Sequence, residues 1–123
     1  MPANVTNATA QTFEQDALRG ALPVVVDFWA PWCVWCKKLA PVYDELAAKY
    51  GDKLRFVKVN VQDEQALAER YGVSSLPTLK YFCGGREIGE LVGAPPRDQL
   101  EAAFKVVIDT HKSCLATSSP MQK

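Results

Sequence analysis

The sequence predicts a single α/β domain with a central mixed β-sheet flanked by helices, and three observations carry that prediction. Strand-like apolar runs alternate with helically spaced segments across residues 23–71, the pattern of parallel strands joined by right-handed crossover helices. Two further β-rich runs flank Gly84-Gly85, a two-residue hairpin signal that adds an antiparallel edge. The chain also has 123 residues, 48% of them apolar and 23% charged, which is globular in composition and long enough for one core without staples.

Taken in order, Val5-Thr6 is a short edge strand and Thr12 to Arg19 a first helix. Pro23 to Trp29 is a continuous β-branched and aromatic run with one carboxylate, Asp27, inside it. Continuous rather than alternating apolarity marks a strand covered on both faces. After Ala30-Pro31-Trp32, the residues Leu39, Val42, Tyr43, Leu46, Ala47 and Tyr50 share one helical face, and Gly51 supplies a stop. Pro41 inside that helix removes one backbone donor, so a kink is expected. Residues 54–60 form a second strand and Asp63 to Tyr71 a short helix ended by Gly72. Thr78 to Cys83 and Arg86 to Val92 make the hairpin, and Leu100, Ala103, Phe104, Val107 and Ile108 a closing amphipathic helix. The domain is expected to occupy residues 1–111, and the polar, Ser- and Thr-containing stretch 112–123 to be a loose tail.

Charge and hydropathy exclude several classes. Fourteen basic residues balance fourteen acidic ones, which removes the electrostatic case for nucleic acid or anionic membrane. No apolar run approaches the roughly 20 residues of a membrane helix. Met1 to Gly20 has no apolar core of a secretory signal, so a cytoplasmic location is expected and the sequons at Asn4 and Asn7 are read as chance. The four cysteines are Cys33, Cys36, Cys83 and Cys114. A secreted disulfide scaffold is normally shorter and denser in cysteine, so a reducing compartment is the better fit. Cys83 and Cys114 have no short-spaced partner and are expected to stay single, with Cys114 open to dimerisation or glutathionylation under oxidation. His111 is the only histidine and lies outside any constellation, so His-based catalysis lacks its base unless it folds back onto a site.

Cys33-Val34-Trp35-Cys36 opens the long helix directly after the most buried strand. Sites in open α/β sheets gather beyond the C-terminal ends of strands. Free N–H groups and the positive dipole end at a helix start favour an anion, here the Cys33 thiolate, with Lys37 and Lys38 adding positive charge. A spacing of three puts that nucleophile beside a thiol able to resolve a mixed disulfide, with Cys36 the deeper of the two. A zinc half-site is the competing reading. Zinc wants four ligands, usually a second close pair, and Cys83, Cys114 and His111 do not supply one, so no metal is expected.

Val24-Val25-Val26-Asp27-Phe28-Trp29-Ala30-Pro31-Trp32-Cys33-Val34-Trp35-Cys36-Lys37-Lys38-Leu39-Ala40-Pro41 resembles the active-site segment of the thioredoxin family, and Val73 to Leu79 resembles its cis-proline loop. The similarity runs from about Thr12 to Ile108. It implies a thioredoxin fold and reduction of protein disulfides, with Cys33 attacking and Cys36 resolving, and no bound cofactor beyond the Cys33–Cys36 disulfide. It also implies recharging by a thioredoxin reductase and action as a monomer, without nucleic acid or membrane. Asp27 then exchanges a proton with the resolving thiol, helped by Lys58. Burial raises such a carboxyl's pKa; the bland alternative is a strand-edge carboxylate in water. Pro77 is cis by the resemblance alone, which lets the backbone of Leu76 pair with an extended substrate. Trp32 rims the contact, Trp29 packs below it, and Gly93 allows close approach of a substrate chain, or is simply a turn glycine.

The chain departs from the family between the cysteines, where Val34-Trp35 replaces the usual Gly-Pro. Losing proline restores an N–H able to bond the Cys33 thiolate, which makes the pair more oxidising. The bulk of Trp35 opposes this by excluding water, and Trp35, where partners dock, narrows the substrate range. Two other functions stay open at this level: an oxidase or isomerase of similar fold, and a non-catalytic binding module.

Overall fold

A computed structural model describes residues 4–115. The elements are β1 (Val5–Asn7), α1 (Phe13–Ala17), β2 (Val24–Trp29), α2 (Val34–Tyr50), β3 (Arg55–Asn60), α3 (Gln65–Arg70), β4 (Thr78–Cys83), β5 (Arg86–Val92) and α4 (Arg97–Thr110). The five strands form one sheet in the order β1-β3-β2-β4-β5. β3 runs parallel to both β1 and β2, and β4 is antiparallel to β2 and β5. This is the mixed α/β sheet that the alternation of patterns predicts.

The central strand β2 is apolar on both faces because both are covered. Val25 joins Phe56, Leu79, Tyr81, Tyr43, Leu46 and Phe104 under α2 and α4, whereas Val24, Val26 and Phe28 pack with Phe13, Val57 and Phe82 under α1 and α3. Tyr43 ties the first layer together, since its buried hydroxyl donates toward the carbonyls of Val25 at 3.0 Å and Val57 at 2.7 Å. A Tyr43→Phe variant is expected to lose about 1–2 kcal/mol, read as a lower urea midpoint with unchanged slope. An unchanged midpoint would show that this hydroxyl adds nothing.

Pro41 is accommodated inside a continuous α2. Gly51 follows the helix, as expected, but with φ −63° rather than the left-handed cap. Its lack of a side chain matters for another reason: a Cβ there would lie 2.7 Å from the Ala47 carbonyl oxygen. At the hairpin, Gly84 and Gly85 have φ of 61° and 84°, the double left-handed turn that matches strand twist. α1 and α3 are shorter than their sequence patterns. The turn before α3 is held by Asn60, whose carbonyl accepts from the N–H groups of Asp63 and Glu64 and whose side chain accepts from that of Gln62.

Two expectations about the C-terminal end need correction. Cys83 and Cys114 are not single but form a disulfide. The stretch from Lys112 is not loose throughout, because Cys114 is buried and its N–H donates to the Ala21 carbonyl at 2.7 Å. The residues lie 31 apart with no motif around either, so only the return of α4 to the hairpin end brings them together. Residues 116–123 of the expected tail lie outside the described residues.

Candidate active site

Cys33 is the N-cap of α2, with extended backbone at φ −89° and ψ 116°, directly after the loop that leaves β2. Its sulfur accepts a hydrogen bond from the Cys36 N–H at 3.2 Å, one of the orphan donors of a first helical turn. Cys33 and Cys36 are joined as a disulfide, with Cα atoms 5.2 Å apart. Both are buried, Cys36 at 3% exposure slightly more than Cys33 at 8%. Ala30 completes their cluster, with Trp29, Val61 and Leu76 packed against it.

In this oxidised state the donor to the sulfur is a different one from that expected to serve the Cys33 thiolate. The bond comes from the N–H of Cys36, which any residue at position 35 would leave in place, and not from the N–H that the absence of proline restores at Trp35. The Trp35 side chain points outward at 58% exposure and Trp32 at 65%, with Val34 exposed between them. The Lys38 ammonium lies 4.6 Å from the Trp35 ring centroid, within cation–π range. A groove of about 350 Å³ adjoins Trp32 and Leu76 and continues over Val61, Ala68, Val73 and Ser74. Sequence reasoning named the first two and missed the others, which come from the loop after β3, from α3 and from the loop before β4. Val73 and Ser74 open the segment that resembles the cis-proline loop, whereas no motif marks Val61 or Ala68.

Asp27, on β2, is buried at 1% exposure. Alternation along β2 puts it on the same face as Val25, toward α2, opposite Lys58 on β3 and Leu79 on β4. The strand-edge alternative is thereby removed. One carboxyl oxygen, Oδ1, has no hydrogen-bond partner among the described residues. Burial, with a smaller push from Asp44 and a partial offset from Lys58, raises its pKa from 3.8 to about 7. Lys58 is partly buried, its ammonium 4.6 Å from the centroid of the Trp29 ring. Both line a cleft of about 330 Å³ with Asn7, Asn60 and Asp63, so the lysine beside Asp27 also borders an open cleft.

The Leu76-Pro77 bond is cis. Its loop is fixed by the Thr78 hydroxyl, which donates to the Ser75 carbonyl at 2.6 Å, and by the Gly93 N–H, which donates to the Pro77 carbonyl at 2.8 Å. Gly93 has φ 103° and open space where a Cβ would stand. Its backbone conformation, rather than crowding within the chain, favours glycine. His111 caps the end of α4, one turn from Cys114 and away from these residues. Among the described residues no group of three or more His, Cys, Asp or Glu is placed to hold a metal, and no helix is long and apolar enough to cross a membrane.

The arrangement can carry out thiol–disulfide exchange: a sulfur at a helix start, a second sulfur one turn further along, and a buried carboxyl on the strand that leads into them. A family model described as Thioredoxin matches residues 4–106. The chain is 46% identical over 98 residues to Thioredoxin 1 of Synechococcus elongatus, covering 80% of this chain and 89% of that protein. It is 47% identical over 97 residues to Thioredoxin 1 of a Nostoc species, covering 79% and 91%. A thioredoxin of a Synechocystis species is 43% identical over 94 residues, covering 76% and 88%.

Proposed function

The chain belongs to the thioredoxin family and is a thiol–disulfide oxidoreductase of the protein-disulfide reductase type, and from that premise we propose how its own residues carry the reaction. The supporting observation is the Cys33–Cys36 pair at the start of α2, directly after the strand that carries Asp27, a buried carboxyl of pKa about 7. In the reduced state the Cys33 thiolate attacks a substrate disulfide, forming a mixed disulfide and releasing one substrate thiolate. Asp27, through its carboxylate form, takes the proton from Cys36, whose thiolate then attacks Cys33. The substrate leaves with both sulfurs reduced, and the Cys33–Cys36 disulfide returns. Lys58 stabilises the Asp27 carboxylate and links it to the cleft from which protons come and go.

Substrate docks as an extended segment along Leu76 and Pro77, with Trp32 and the groove behind it on one side and Val34 and Trp35 on the other. Gly93 keeps the far wall low. The catalytic unit is the single domain within residues 1–111, working as a monomer in the cytoplasm. A thioredoxin reductase returns the electrons, and neither nucleic acid nor membrane takes part.

Turnover of insulin disulfides by the reduced chain tests this reading, and absence of turnover overturns it. The equilibrium potential of Cys33–Cys36 then sets the direction of electron flow. We expect a value modestly above the roughly −270 mV of thioredoxin and below the isomerase-to-oxidase range of about −180 to −120 mV. Replacing Val34-Trp35 with Gly-Pro, as Val34→Gly with Trp35→Pro, should lower the potential toward about −270 mV. A variant that stays put would show that Val34 and Trp35 do not set the potential, one that rises would show that they lower it, and a wild-type value inside the upper range would make the chain an oxidase or isomerase.

A further inference from the structure

The second disulfide, Cys83–Cys114, closes at the end of the sheet opposite the exchange site. β4 starts at Thr78, beside the cis Leu76-Pro77 bond, and ends at Cys83. Five residue steps of strand therefore separate the two ends, about 17 Å, and a thiolate must reach the sulfur it attacks. No exchange between the two pairs can occur within one chain.

The surroundings of the second pair are also unlike those of the first. Cys114 is 1% exposed, while Cys83 is only partly buried. The Cys114 N–H is fixed to the Ala21 carbonyl at 2.7 Å, and its own carbonyl oxygen would lie 3.1 Å from a Cβ at Gly84, so the segment rests directly on the hairpin turn. The bridge spans 31 residues, including all of β5 and α4, whereas the bridge of the exchange site spans 3. Only the long one appreciably restricts the unfolded chain.

We propose that Cys83–Cys114 is a second redox couple, insulated from the exchange site, that latches the segment after α4 onto the hairpin turn and opens only under more reducing conditions than Cys33–Cys36. Two physical differences set that order. The fold holds Cys83 and Cys114 together through contacts that do not depend on the bridge, so their thiols reclose it at high effective concentration. At the exchange site, by contrast, a helix start stabilises the Cys33 thiolate and so favours the open, reduced pair. The reductant is a dithiol. Its thiolate attacks the sulfur of Cys83, the more accessible of the two; the Cys83–Cys114 bond breaks, and Cys114 leaves as a thiolate that takes a proton from solvent. The second thiolate of the reductant then displaces Cys83 and closes the reductant's own disulfide, so two electrons pass to the latch.

The test equilibrates the full chain across graded reduced-to-oxidised dithiothreitol ratios, quenches with acid, alkylates, and reads each cysteine pair separately by peptide mass. Cys33 and Cys36 should label first, with Cys83 and Cys114 requiring a ratio at least about tenfold higher. In a Cys33→Ser/Cys36→Ser variant, which retains only the latch, full reduction should lower the Tm by about 10 °C. A Cys83→Ala/Cys114→Ala variant should keep wild-type insulin reduction. Labelling of Cys83 and Cys114 without reductant, simultaneous opening of both pairs, an unchanged Tm, or lost turnover in the Ala variant would each overturn the proposal. Failure of the wild-type chain to reduce insulin would count instead against the roles given to Cys33 and Cys36, and the labelling order and the melt would still decide the latch.

Discussion

Cys33→Ser is expected to bring disulfide reduction down to background, a loss of roughly a thousandfold or more in turnover of insulin disulfides. A serine oxygen cannot form the mixed disulfide, and the remaining thiol, Cys36, lies within the first turn of the helix rather than at its cap. Cys36→Ser should fail differently. Cys33 still attacks, but nothing resolves the product, so a covalent complex with substrate accumulates that runs as a heavier species and collapses on adding dithiothreitol. The two variants together separate the roles. If Cys33→Ser is the one that traps substrate, the attacking and resolving sulfurs are reversed. If neither traps, the chain does not work through exchange at this pair. The exposures of 8% for Cys33 and 3% for Cys36 differ too little to assign the roles alone. The N-cap position of Cys33 and its hydrogen bond from the Cys36 N–H carry the assignment.

Asp27→Asn is expected to raise stability at alkaline pH while slowing catalysis. The carboxyl titrates near 3.8 when exposed and at about 7 in the fold, chiefly because burial disfavours its charge. Below about pH 4 it is neutral in both states and contributes nothing to the pH dependence. Between about 4 and 7 the unfolded chain ionises first, so the folded state holds the extra proton and stability falls as pH rises. Above 7 the full penalty is present, on the order of 4 kcal/mol. Urea unfolding at pH 5 and pH 8.5 should therefore show a wild-type loss that the Asn variant lacks. A wild-type chain equally stable at both values would mean that Asp27 is not held neutral. In the same variant, insulin reduction should drop on the order of 100-fold, and the inflection of its pH profile near 7 should disappear. Loss of rate with that inflection retained would assign the titration to another group.

Asp27 also shows how far local sequence reading reaches. Its position inside an unbroken apolar run was enough to predict burial, because a strand covered on both faces leaves no water for a side chain on either. Which face it takes, and that Lys58 lies directly opposite, follow from the register of β2 on β3. Likewise the hairpin was legible to the residue, since two consecutive glycines admit the one turn that matches strand twist. The start of α3 was not. The Asn60 side chain and carbonyl compete for the N–H groups of Gln62, Asp63 and Glu64 and hold that stretch as a turn, an outcome that apolar spacing does not encode.

The exchange site was legible because its chemistry is local: two sulfurs three residues apart, at the junction of a buried strand and an amphipathic helix, are written in adjacent letters. The groove of Val61, Ala68 and Val73 beside Trp32, and the pairing of Cys83 with Cys114, are contacts between segments distant in sequence. Periodicity and short motifs report on the bonds a residue makes within its own turn or ladder. They say nothing about where α4 ends relative to the hairpin, which is settled by packing Leu100, Phe104 and Ile108 against the sheet. Nearby residues alone therefore determined the fold class and the reacting pair, and long-range packing decided the docking groove and the second disulfide.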